Sequence, residues 1–202
     1  MMKIKIKSGA TIVESMVVMI IIVLWVTWMY SIFNKSQEIT TNTSNRLVAI
    51  AIAREWIEAV TNIRDTNWLL FSVNTENCWL VKDYNSDCIT NSSIYIASWS
   101  YVLYTNTNNR WYLSWGTTWV FSSGAYQNAF RVKKDGNGLY TQSGWTDFMP
   151  LYTREIKISY PWALNPPQNV KIESIVRWVD NSRTSGNFEI ILQTELTNWK
   201  NN

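Results

Sequence analysis

The stretch "KSGATIVESMVVMIIIVLWVTWMYSIF", residues 7–33, decides how the rest of the chain is read. Residues 16–33 are 18 positions without a charge, and Glu14 is the only charge in the 24 positions from Ala10 to Phe33. About 20 apolar residues cross a hydrocarbon core as a helix, so the pattern predicts one transmembrane helix. A carboxylate at bilayer depth costs at least ~2.5–3.5 kcal/mol on insertion scales. Glu14 therefore needs a partner or a function. Lys3, Lys5 and Lys7 precede the run, and Lys35 follows it alone. The positive-inside rule then places the N-terminus in the cytoplasm and the chain after residue 34 outside, with lipid around the helix. A secretory signal peptide has a shorter apolar region and a small-x-small cleavage site. The run here is longer and ends in "SIFNKSQ". An uncleaved anchor explains the length and the lysines but leaves Glu14 unexplained.

The whole arrangement resembles the leader of the type IV pilin and pseudopilin family. The residues that carry the resemblance are the basic leader "MMKIKIKSG", Gly9 just before the apolar run, and "ATIVE", with Glu14 fifth after that glycine. Ala10 stands where that family more often has Phe. The resemblance implies cleavage by a prepilin peptidase between Gly9 and Ala10, with methylation of the new Ala10 amine. It implies assembly with other pilin or pseudopilin subunits on an inner-membrane platform, with Glu14 pairing to the N-terminal amine of a neighbour. It also implies a bacterial cytoplasmic-membrane location before assembly, and a periplasmic or cell-surface filament after it. An acidic residue near a helix N-terminus is favoured by the macrodipole in any case, a local role that would make Glu14 dispensable for assembly.

Beyond the membrane run, residues 46–64 show helical periodicity. Leu47, Ile50, Ala53, Ile57 and Val60 form the expected buried stripe, with Arg54, Glu55, Glu58 and Arg64 mostly off it. The intervening "TTNTSN" is poor helix stock. No Gly or Pro interrupts residues 10–65, which predicts one long helix with a weak middle. The resemblance implies the same: a first helix that is half anchor, half scaffold for a sheet. The domain reading is a cleaved basic leader at 1–9, a transmembrane half-helix at 10–33, an amphipathic half-helix at 34–65 and a β-rich globular domain at 66–202. Strand-like runs fall at 94–104, 110–115, 129–134, 154–160, 170–179 and 187–196. Several alternate apolar and polar residues, as strands with one buried face do. "KDGNG" (134–138) and "DNSRTSGN" (180–187) read as hairpin turns. The expected fold is α+β and pilin-like, with the long N-terminal helix on an antiparallel sheet. The closing segment "VRWVDNSRTSGNFEIILQTELTNWK" also looks like the last hairpin of minor pilins and secretion pseudopilins.

Composition bounds the chemistry. The chain has 202 residues and no histidine, which excludes Ser-His-Asp and Cys-His nucleophile systems and His-ligated metals. Eighteen basic residues less the three leader lysines leave fifteen, matching the fifteen Asp and Glu. A neutral body lacks the electrostatic footprint of a nucleic-acid binder. "DGNG" supplies only Asp135 and Asn137 toward a calcium loop, so no metal or cofactor is expected. No nucleophile elbow, phosphate loop or paired acid–base motif is present, and an enzyme is not expected. Cys78 and Cys88, with nine residues between them, form either a disulfide, if the body lies outside the cytoplasm, or two reduced, partly buried thiols.

Thirteen Trp against seven Gly is an inverted ratio, and no Gly occurs between Ala10 and Trp115. Rings at "NTNNRWYLSWGTTW" occupy a turn-like context that favours Gly. The composition predicts that some tryptophans, Trp56, Trp115 and Trp119 among them, are UGA codons read as glycine in the source organism. A binding claim resting on Trp is therefore not made. The leading functional reading is a structural subunit, a minor pilin or pseudopilin of a type IV pilus or type II secretion-like filament. The alternative is a membrane-anchored adhesin or DNA-uptake protein.

Overall fold

The computed structural model describes residues 11–91, 93–105, 110–116, 124–134, 140–142, 148–161, 167–179 and 187–199. Lys3, Lys5, Lys7, Gly9, Ala10, Trp119 and most of the two turn segments lie outside them. The chain divides into two compact units, residues 1–45 and 46–202.

One helix, α1 (Ile12–Leu70), runs through 59 residues. Its weak middle is helical because the hydroxyls that compete with the backbone are turned back onto it. Thr40, Thr41 and Thr43 each donate to the carbonyl four residues earlier, at 2.9, 3.0 and 2.9 Å. The helix also continues five residues past the expected end at 65. Tertiary bonds hold that last turn: the buried Asn67 donates to the Val81 carbonyl at 3.1 Å, and Trp68 Nε1 to Asn198 Oδ1 at 3.2 Å. In the first unit every residue from Thr11 to Gln37 is exposed, and the apolar part of α1 is long and apolar enough to cross a membrane.

In the body, seven strands form one antiparallel sheet among the described residues: β1 (Ser100–Thr105), β2 (Trp111–Trp115), β3 (Arg131–Lys134), β4 (Tyr140–Thr141), β5 (Phe148–Ser159), β6 (Asn169–Val179) and β7 (Asn187–Thr197). β5 is the hub. One of its edges pairs with β6, and β6 pairs with β7. Its other edge is divided: β3 takes the first half through Thr153 and Phe148, and β1 the second half through Lys157 and Ile156. β5 begins six residues before the expected Arg154 and passes through Pro150. The proline lacks a ladder donor, and the β3 register shifts opposite it, between Arg131 and Lys133.

The packed face of α1 matches the expected one only at Ala53 and Val60, which are buried. Leu47 is 63% exposed, and Ile50 and Ile57 are only half-buried. The buried stripe is Ala49, Ile52, Ala53, Trp56, Ala59, Val60 and Ile63. Both stripes have helical period. The sheet takes the one rich in alanine, because small side chains let the helix backbone approach the strands closely and bury Ile52, Val60 and Ile63 fully.

Residues 94–99, read as strand, are irregular; β1 starts at Ser100. Ala129, also read as strand, belongs to a short helix, α3 (Gly124–Phe130), absent from the sequence reading. The connection after α1 contains a one-turn helix, α2 (Thr75–Cys78), and two 3-10 turns, Lys82–Tyr84 and Ser86–Ile89. The tryptophans sort into distinct environments. Trp68 and Trp79 are buried with their indole N–H groups bonded, Trp79 to the Pro167 carbonyl at 2.9 Å. Trp56 is buried with its Nε1 unpartnered, and Trp115 and Trp199 are more than half exposed.

Candidate functional site

Three features of the structure bear on function, beginning with the start of α1. Thr11 precedes the helix, and its hydroxyl accepts the backbone N–H of Glu14 at 3.3 Å. Thr11 is thus the N-cap and Glu14 the third helical residue, the T-x-x-E arrangement of a capping box. The signal was legible in "TIVE" and was missed in favour of the spacing to Gly9. The Glu14 carboxylate is exposed, and no described residue forms an ion pair with it. The helix N-terminus therefore has a satisfied backbone donor and a carboxylate open to an outside cation.

Two ion-pair clusters hold the body together. On the helix side of the sheet, Arg154 of β5 is fully buried. Its Nη1 lies 3.3 Å from Glu55 of α1, its Nη2 donates to the Tyr140 carbonyl at 3.2 Å, and its guanidinium lies 3.6 Å from the Trp56 ring. Burial pulls the Arg154 pKa down and the Glu55 pKa up, each opposed by the other's charge. Alternation along β5 puts the next residue, Glu155, on the opposite face. There Glu155 accepts from Ser100 at 2.6 Å, Tyr126 of α3 at 2.7 Å and Arg177 of β6 at 2.9 Å. Burial pushes the Glu155 carboxyl up, but these three donors outweigh it and hold it below its usual range. Arg177 also binds Glu189 of β7. The first cluster joins helix to sheet, and the second joins α3 to sheet.

Cys78 and Cys88 are bridged, with Cα atoms 5.2 Å apart. Both are fully buried and pack with Phe71 and Val81. The bridge closes the connection between α1 and the sheet. Of the residues singled out in the sequence, the structure thus brings Cys78 and Cys88 together and leaves Glu14 exposed on α1. Sequence reading did not identify Thr11, Arg154, Glu155 or Arg177. Thr11 had a local signal. The other three act through partners 12 to 99 residues away, which no local pattern reveals. No family model matches the chain, and no curated protein or solved structure is detectably similar to it.

Proposed function

We propose that this chain is a structural subunit, a minor pilin or pseudopilin, of a type IV pilus or type II secretion-like filament. The observation that carries the reading is the exposed carboxylate of Glu14, with no ion-pair partner among the described residues, at the head of an apolar run that carries no other charge through Phe33. In this reading the prepilin peptidase cuts after Gly9 and leaves an α-amine on Ala10, one helical turn from Glu14. The helix waits in the cytoplasmic membrane with the body outside. A neighbour's amine then neutralises Glu14 as the helices stagger, which offsets the cost of a lone carboxylate in lipid. Two further observations support the reading. The second half of α1 packs on an antiparallel sheet, as a pilin scaffold does. The buried Cys78–Cys88 bridge suits a body outside the reducing cytoplasm.

The test uses Glu14→Gln and Glu14→Val in the full chain. Gln keeps a side-chain oxygen at the third helical position, so the capping box survives while the charge is lost. Both variants should be cleaved to a methylated Ala10, seen by N-terminal mass spectrometry, and both should be lost from sheared filaments. Loss of a pairing worth ~2.5–3.5 kcal/mol corresponds to incorporation reduced on the order of a hundredfold. Normal incorporation of Glu14→Gln would leave Glu14 with the capping role alone. A mature protein that still begins at Met1 would sink the filament reading in favour of a plain membrane anchor.

A further inference from the structure

A row of three tyrosines crosses the body on β1, β2 and the first 3-10 turn. Tyr104 and Tyr112 are register partners, their rings stacked with centroids 5.7 Å apart. Tyr84 meets Tyr112 edge-on at 5.4 Å, and the Arg110 guanidinium lies 5.5 Å from the Tyr84 ring. On β1, Tyr101 and Leu103 are buried toward α1, so alternation puts Tyr104 on the opposite face. Tyr84, Tyr104 and Tyr112 all keep part of their surface in solvent, and Asp83 and Arg110 are exposed.

The backbone beneath this row is strained. Asp83 and Tyr84 are consecutive non-glycine residues in the left-handed region, with φ of 57° and 54°. Such residues cost about 1–3 kcal/mol each and concentrate where a binding geometry is imposed. Two contacts hold Tyr84 there: its hydroxyl donates to the Trp111 carbonyl at 2.8 Å, and its ring leans on the cluster around the Cys78–Cys88 bridge. The result is a fixed ring beside the Tyr104–Tyr112 pair, next in sequence to the exposed Asp83 and with the Arg110 guanidinium 5.5 Å from it.

We propose that Tyr84, Tyr104 and Tyr112, flanked by Asp83 and Arg110, form a platform for a neutral polysaccharide. One face of a pyranose ring is a sheet of C–H groups, which an aromatic face attracts through its negative quadrupole. The sugar's rim of hydroxyls needs both an acceptor and a donor, the pairing that Asp83 and Arg110 supply. Local charge argues against a polyanion. Lys82 is tied to Asp83 at 3.3 Å, which leaves no basic stripe of the kind that tracks a phosphate backbone. The platform depends on tyrosines alone, and it stands on the surface of the body, so it holds whether or not the chain assembles into a filament.

The full-length protein in a sugar-free detergent is titrated with cellohexaose and with chitohexaose, and separately with a single-stranded dT20 oligonucleotide. At least one hexasaccharide should bind with an affinity that does not change from roughly 50 to 500 mM salt. Tyr104→Ala should weaken it by about tenfold or more, the loss of one stacked ring, with the circular dichroism spectrum unchanged. Tyr84→Phe keeps the ring but drops its tether, and should weaken binding less. Absence of binding to both sugars at roughly 10 mM overturns the proposal, since that concentration detects even ~10 mM affinity. So does equal binding by Tyr104→Ala. Binding of dT20 that falls steeply with salt would replace it with a single-strand nucleic-acid surface.

Discussion

Removing the Glu55 carboxylate should destabilise the body more than removing the whole Glu55–Arg154 pair. Arg154 has no exposed side-chain surface, and Glu55 retains 25% of its own. Among the described residues, Glu55→Ala leaves the buried guanidinium the Tyr140 carbonyl at 3.2 Å and the Trp56 ring at 3.6 Å. Breaking a buried pair by deleting one partner costs about 3–5 kcal/mol. Water that reaches Glu55 in the native protein screens the pair and puts the expected loss at the low end, about 3 kcal/mol. Glu55→Ala/Arg154→Met removes the charge as well, and the thioether fills the space under Trp56, so the double variant should lose ~1 kcal/mol or less. The double variant should then be about 2 kcal/mol more stable than Glu55→Ala, and Arg154→Met alone completes the cycle. The assay is guanidinium chloride unfolding of the full chain in micelles, read by tryptophan emission, with the midpoint shifting at constant slope. A loss under ~1 kcal/mol for Glu55→Ala, or a double variant no more stable than the single, would refute the clamp between helix and sheet.

Reduction of the Cys78–Cys88 bridge, or Cys78→Ser/Cys88→Ser, should cost roughly 3 kcal/mol from the loop-closure entropy of its short loop; an unchanged unfolding midpoint would count against a structural bridge. The Glu155 carboxyl has a folded pKa below its unfolded one, so the unfolded state binds the extra proton. Its stabilisation is fully present above the unfolded value and is lost as pH falls through the folded value, on the acid side of the ordinary carboxyl range. Glu155→Gln should flatten that acid limb of the stability–pH curve, and an equally steep limb would refute it. Peptide masses should show Trp at positions 68 and 79, whose indoles are buried and bonded. If UGA is read as glycine, the substitution should appear at Trp56 or Trp115, and UGG codons at both would end the idea.

The sheet face of the long strands was legible because alternation is a local property. Val170, Ile172, Val176 and Trp178 turn toward the helix by position parity alone. The face of α1 was legible only in part: Ala53 and Val60 lie on it as the periodicity expects, but the apolar residues around them allow two stripes of the same period. The choice between them depends on how closely the sheet can approach, which is a property of the pair. α3 was missed because seven residues carry too little periodic signal. Its position comes from Tyr126 reaching Glu155 and Arg177 across the sheet.

That residues 12–33 form a helix long and apolar enough to cross a membrane, with Glu14 as their only charge, follows from composition along the chain, because hydropathy acts on a single helix without a fold around it. The end of α1 at Leu70, the pairing of Cys78 with Cys88, the burial of Arg154 and the tyrosine row required the packed body. Each depends on groups distant in sequence being held within a few ångströms, and that proximity exists only once the sheet has closed on the helix.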